Sequence, residues 1–354
     1  MGRDKIGGAP PQEDYMKFSK FARSTTAGMI AGAVSLAALA SAATAETVRL
    51  RFHTFYGTEI DPIADKFKDA VKEASDGSLR IQYFRGGELV ASDQFADAVS
   101  KGTLDIVHGH GGYWSGQVDI GNIEAGLPGA WTSVEEAKSI FESEEVNTLL
   151  TEAYEEAGTV FLGKGYGHNY DLLTKEPVTS LEDLKTRKIR ATSNVAKVLD
   201  YFGVPTVYLP AQELYISMST GVIDGAIYGG PVEYEQLKLH ETAKHYTYLN
   251  MLMPGWTETF LANPAKWEAL SDEHKAILEE AIAQFAEDIH NWLAEGNENV
   301  AEGTFEYATL PEADSAELTV AAQTVWQEEA ERSPRNKAFI DALVANAKAQ
   351  GRLK

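Results

Sequence analysis

Residues 181–230 read LEDLKTRKIRATSNVAKVLDYFGVPTVYLPAQELYISMSTGVIDGAIYGG, and the alternation within them decides the fold. A helical lead-in over 181–185 precedes a short strand over 188–192 and a helix over 194–202. A second strand (205–209), a second helix (212–220) and a third strand ending at Tyr228 complete the run. Strands separated by helix-length crossovers are expected to lie parallel, because a parallel return needs a connection of a dozen or more residues. Arg190 falls inside the first of these strands. Taken alone, an arginine in a short strand pairs with a surface carboxylate, since arginines are mostly exposed.

The same stretch resembles the signature of the solute-binding proteins of tripartite ATP-independent periplasmic (TRAP) transporters. In that family "DLKGLKIR" precedes a helix and a later "GxIDG"; here residues 183–190 read DLKTRKIR and residues 221–225 read GVIDG. Thr186 stands where the family usually has glycine. The resemblance implies a two-lobed α/β periplasmic binding protein of type II-like fold, each lobe a mixed sheet flanked by helices. It also implies that Arg190 clamps the carboxylate of an organic-acid ligand.

Composition limits the alternatives. The chain has 354 residues, enough for two lobes with their own cores, and 44% hydrophobic and 24% charged residues, as globular domains do. It has no cysteine, which excludes a disulfide framework, a thiolate metal site and a thiol nucleophile. Its formal net charge of −22 repels nucleic acid and anionic lipid. An anionic ligand must therefore be drawn in by a local basic group against the global field, which singles out a buried arginine.

The first 45 residues read as an N-terminal extension and a secretory signal. Lys17, Lys20 and Arg23 form a positive segment, residues 27–39 are apolar and small, and Ala43, Thr44 and Ala45 form an A-x-A cleavage site before Glu46. The apolar run is too short for a membrane span, so the expectation is cleavage after Ala45, with Met16 a candidate start, periplasmic localisation and no membrane insertion of the mature chain.

Taken in order, a strand over 48–54, a helix from Pro62 with a stripe of Ile63, Phe67, Ala70, Val71 and Ala74, and a strand over 79–84 open the mature chain. A helix over 92–101 and a strand over 104–108 lead into His108, Gly109, His110, Gly111, Gly112, Tyr113 and Trp114. This glycine-rich loop leaves the C-terminal end of a strand, where open α/β folds bind ligands, and one His or Tyr is expected to face the cleft. Tyr113 and Trp114 read either as core or as cleft wall. Residues 135–157 read as a helix, 159–163 and 170–174 as strands, and His168, Asn169 and Tyr170 between them as a crossing between lobes, near hinge and cleft.

Beyond Gly230 the sequence resembles the branch of the family that binds 2-oxo and 2-hydroxy acids, with patterns "EWxGPYDDxKLGF" and "YYYYPGWWE". In that branch a cation held partly by two glutamates bridges the acid's carboxylate and its adjacent oxygen. Glu258 matches the second glutamate, Ile227 replaces the first, and Tyr228 stands for the tryptophan. Glu258 is thus the candidate metal ligand, for sodium or calcium, and each lost carboxylate weakens such a site. The apolar stripe of Trp267, Leu270, Ile277, Leu278, Ala281, Ile282, Phe285, Ile289, Trp292 and Leu293 predicts a helix of about 30 residues, about 45 Å long, and the resemblance implies that it runs along both lobes. Helices are also expected over 315–332 and 334–349.

The expected division is 46–169 plus 258–303 for one lobe and 170–257 plus 304–354 for the other. The resemblance implies an extracytoplasmic binding protein, not an enzyme, that delivers a small carboxylate, preferably a 2-oxo or 2-hydroxy monocarboxylate, to the small and large membrane subunits of a TRAP permease. A dicarboxylate or aromatic acid, or ligand sensing for a membrane kinase, are the alternatives. Arg190 would hold the carboxylate, with Tyr228, Trp256, Glu258, Tyr113, His168, Asn169 and Tyr170 lining the cleft and Asn194 a further donor at a helix start. No G-x-S-x-G, H-E-x-x-H, Walker or G-x-G-x-x-G motif supports a secreted hydrolase.

Overall fold

The structure, a computed structural model, describes residues 47–249 and 255–351. The expected signal segment and residues 250–254, within the stretch before Trp256, lie outside them. Among the described residues no helix is long and apolar enough to cross a membrane.

The first half opens with β1 (Val48–Thr54), α1 (Asp61–Ala74) and β2 (Leu79–Phe84). Pro62 lies in the first turn of α1, Ala64, Phe67 and Val71 face the core at helical spacing, and the chain leaves α1 through Asp76 and Gly77 at positive φ. Then come α2 (Phe95–Ser100), β3 (Ile106–Gly109) and α3 (Gly121–Glu124). The helix expected over 135–157 is two: α4 (Val134–Phe141) and α5 (Glu144–Glu156). Ser143 breaks it, with extended backbone and a hydroxyl that caps the Val146 N–H of the new helix. Strand β4 (Val160–Tyr166) closes this half.

The chain then crosses into a second sheet at β5 (Leu172–Thr174). There α6 (Leu181–Leu184), β6 (Ile189–Arg190), α7 (Ser193–Asp200), β7 (Thr206–Val207), α8 (Leu214–Ser219) and β8 (Gly225–Ile227) follow in the order read from the sequence. After α9 (Pro231–Gln236) and β9 (His245–Tyr248), the chain returns to the first sheet as β10 (Thr257–Ala262). It then runs through α10 (Pro264–Glu268) and the 28-residue α11 (Asp272–Asn299) to β11 (Glu306–Thr309), α12 (Glu312–Arg332) and α13 (Pro334–Ala349).

The two sheets are mixed. The first has the order β2-β1-β3-β10-β4, with β1 parallel to β2 and β3 and β10 antiparallel to both its neighbours. The second has the order β11-β9-β5-β8-β6-β7. Strands β6, β7 and β8 are mutually parallel, as their helix-length crossovers require, and β5 is antiparallel to β8 and β9. Helix α11 packs on α1 and β4 of the first half and on α9 of the second, so one rod contacts both. Helix α13 packs on α12 and reaches α3, α4 and α5.

Candidate functional site

Arg190 is the last residue of β6, paired with Val207 of β7 on one side and Ala226 of β8 on the other. It therefore stands at the C-terminal end of a parallel trio, where side chains project into the crevice. It is 1% exposed. Its Nε donates to the Leu209 carbonyl at 3.0 Å and its Nη1 to the Ile227 carbonyl at 3.0 Å, while Nη2 is buried with no hydrogen-bond partner among the described residues. The guanidinium is flanked by the rings of Tyr228 and Tyr208, 5.1 and 5.4 Å from its central carbon. A charge is thus desolvated, fixed by two carbonyls and left with one nitrogen, Nη2, unused.

That donor belongs to a cavity, with about 310 Å³ of empty space part of which is open to solvent, lined by Phe55, His110, Tyr113, Tyr170, Arg190, Thr192, Tyr228, Glu233 and Trp256. The Tyr170 hydroxyl is also buried without a partner. Burial, with Lys164 and Arg190 nearby, pushes the His110 imidazole down to about 3, so it is neutral at ordinary pH. Its Nδ1 accepts the Gly112 N–H at 3.2 Å and shapes the loop. Arg190 is then the one cationic side chain among the lining residues.

The walls come from both halves and touch around the cavity. Gln212 Nε2 donates to the Phe55 carbonyl at 3.0 Å, Asn194 Nδ2 donates to the Gly126 carbonyl, and the rings of Tyr113 and Tyr208 lie 5.7 Å apart.

Of the residues expected from the sequence, Tyr113, Tyr170, Arg190, Tyr228 and Trp256 come together here. Asn194 does not line the cavity: its amide is spent on Gly126 and its oxygen accepts from the Thr192 hydroxyl and the Val195 N–H. His168 stacks on His290 at 4.4 Å, and Asn169 is exposed. Tyr113 packs against Phe55 and His110 as cleft wall, whereas Trp114 is core, its indole N–H donating to Tyr154. Phe55, Thr192 and Glu233 were not expected. Glu233 sits at the third position of α9, a capping place by sequence, and nothing local marks it as a cavity group.

Glu258 lies in β10 outside the lining residues. Its Oε1 accepts from the Tyr56 hydroxyl at 2.7 Å and the Trp256 indole at 3.4 Å, and its Oε2 is bonded to His108 Nε2 at 2.8 Å. Burial works against its charge, but His108 and these donors outweigh it and hold the carboxyl below its usual range. A sodium or calcium ion requires free oxygen lone pairs, and here three donors take about three of the four that the carboxylate offers. Where a second carboxylate would stand, Ile227 is packed in the core. Among the described residues no group of three or more His, Cys, Asp or Glu is placed to hold a metal. The residues present do not fit the cation expected at Glu258.

The family model for bacterial extracellular solute-binding protein family 7 (DctP) matches residues 58–333. The chain is 30% identical over 266 residues to the ectoine-binding periplasmic protein TeaA of Halomonas elongata, covering 73% of this chain and 74% of that protein. It is 27% identical over 222 residues to a monocarboxylate 2-oxoacid-binding periplasmic protein of Nostoc sp., covering 62% of this chain and 61% of that protein, less than two thirds of its length. Its fold is similar to that of a TRAP solute-binding protein from Chromohalobacter salexigens with bound (S)-(+)-2-amino-1-propanol, with TM-score 0.80 and 21% identity over 86% of this chain and 97% of that one. A Pseudoalteromonas atlantica counterpart with bound sodium and pyruvate has TM-score 0.79 and 20% identity over 86% of this chain and 95% of that one. With the family model spanning most of its length, the chain belongs to bacterial extracellular solute-binding protein family 7 (DctP) and is a binding protein rather than an enzyme.

Proposed function

We propose that this protein captures a small monocarboxylate in the cavity at the end of β6 and hands it to the small and large membrane subunits of a TRAP permease from the periplasm. The observation that carries the reading is the unpartnered, buried Nη2 of Arg190. A carboxylate completes it with a charge-assisted hydrogen bond. One cationic side chain among the lining residues suits one carboxylate better than two, and Phe55, Tyr113, Tyr228 and Trp256 supply apolar walls for a short carbon skeleton. A 2-oxo or 2-hydroxy acid is the preferred class.

The lobes in this reading are residues 46–169 with 258–303 and residues 170–257 with 304–354. The two sheets support that division, while α13 rests on α3, α4 and α5 across it.

The test is Arg190→Lys. Lysine keeps the charge but not the fork that spans two carbonyls and a ligand. Affinity for the carboxylate, measured by titration calorimetry, is expected to fall at least about 30-fold, from roughly 2 kcal/mol or more for a broken buried charge pair. Affinity within threefold of the parent would place the clamp elsewhere.

A further inference from the structure

Glu233 is the acid that the cavity contains and the carboxylate clamp leaves unused. It is 3% exposed and lines the same cavity as Arg190. Its Oε2 accepts the Gly230 N–H at 2.8 Å, and Gly229 must lack a side chain because a Cβ there would lie 2.3 Å from that oxygen. Among the described residues Oε1 has no hydrogen-bond partner and the carboxyl forms no ion pair.

An ionised carboxylate so placed is costly, with one amide donor and no ion-paired cation, and it takes a proton instead. Burial, with Glu258 and Glu59 adding negative potential, raises its pKa well above the usual carboxyl range. With Oε2 accepting from Gly230, the proton belongs on Oε1, which has no acceptor among the described residues. The cavity thus holds two unused donor groups, Arg190 Nη2 and Glu233 Oε1–H, while of the two positions that carry glutamates in the 2-oxo acid branch one is Ile227, which is apolar, and the other is Glu258, which three donors already engage.

We infer that the protonated carboxyl of Glu233 donates a hydrogen bond to the oxo or hydroxy oxygen next to the ligand's carboxylate, and so recognises that oxygen without a bridging metal ion. This rests on the reading that Arg190 takes the carboxylate. It assigns Glu233 as the specificity-determining residue of the site and predicts metal-independent binding.

The test is titration calorimetry of the whole chain with pyruvate, lactate and their four- to six-carbon homologues against the matching unsubstituted acids and 2-amino acids, with and without EDTA. A 2-oxo or 2-hydroxy acid is expected to bind at least about tenfold more tightly than its unsubstituted counterpart, the value of one good hydrogen bond to a neutral group, and EDTA is expected to change nothing. Glu233→Gln, whose amide can also donate, should keep most of that preference. Glu233→Ala should reduce it to about twofold or less while still binding the unsubstituted acid, which also reports that the fold is intact. A preference that survives Glu233→Ala, or that EDTA abolishes, overturns the inference and leaves the Arg190 clamp standing. A 2-amino acid bound best and lost in Glu233→Gln overturns it too, since Glu233 would then meet a cation as a carboxylate. Binding of no acid at all would overturn the clamp and this inference together.

Discussion

A guanidinium offers five N–H donors in one plane, and Arg190 commits Nε and Nη1 to backbone carbonyls that fix its direction. Its motif was legible because it lies in one short run of sequence. Glu258 was legible as a motif match but not in its role, since groups that engage it, His108 and Tyr56, come from 150 and 202 residues away. Glu233 was not legible at all: a glutamate at the third position of a helix reads as a cap, which it also is. Another buried acid gives a prediction at this scale. Burial pushes Asp171 up to about 6, opposed by the Leu249 N–H donated to Oδ1 at 2.9 Å. Its folded pKa is above the unfolded value near 3.9, so the folded state binds the proton more tightly, and stability is lost as pH rises from about 4 to 6. Asp171→Asn keeps the acceptor and removes that penalty. The variant should melt about 3–5 °C higher at pH 7.5, from roughly 2–3 kcal/mol, with no gain below pH 4. An equal gain at both pH values would mean that the carboxyl's charge is not the cause.

Among the elements, the helices with clear stripes were the most legible. The apolar spacing over 267–293 anticipated α11, whose Leu278, Ala281, Ile282, Phe285, Ile289 and Leu293 are buried. Strands β9, β10 and β11 were not anticipated. All six residues of β10 are buried between β3 and β4, so no alternation marks it, and all four of β11 are exposed, so none marks it either. The contact of α11 with α9 matters to the site because α9 carries Glu233. A Cβ on Gly296 of α11 would lie 2.4 Å from Val232 of α9, so the two backbones approach as closely as they do because position 296 has no side chain. Gly296→Leu should displace α9, lower stability by about 1–3 kcal/mol in urea unfolding and weaken ligand binding, although residue 296 does not line the cavity. Unchanged affinity with lowered stability would mean that α9 is not held in place by α11.

At the scale of the molecule, the chain passes between the sheets from β4 to β5, from β9 to β10 and from α11 to β11, and the walls meet over the cavity through Gln212 with Phe55 and Asn194 with Gly126. The βαβ rhythm of residues 181–230 made one sheet predictable, and the family likeness supplied the second lobe, because pairing between strands as distant as β3 and β10 leaves no local trace in sequence. With a net charge of −22, the molecule repels anions at long range, so the proposed capture of an acid would rest on one local cation, Arg190. The most direct test is a calorimetric comparison of the best-binding 2-oxo or 2-hydroxy acid with its primary amide, which has nearly the same shape and no charge. The acid should bind and the amide should be weaker by about 100-fold or more. Equal binding of the two, or binding only of sugars or amines, would contradict a carboxylate held by Arg190.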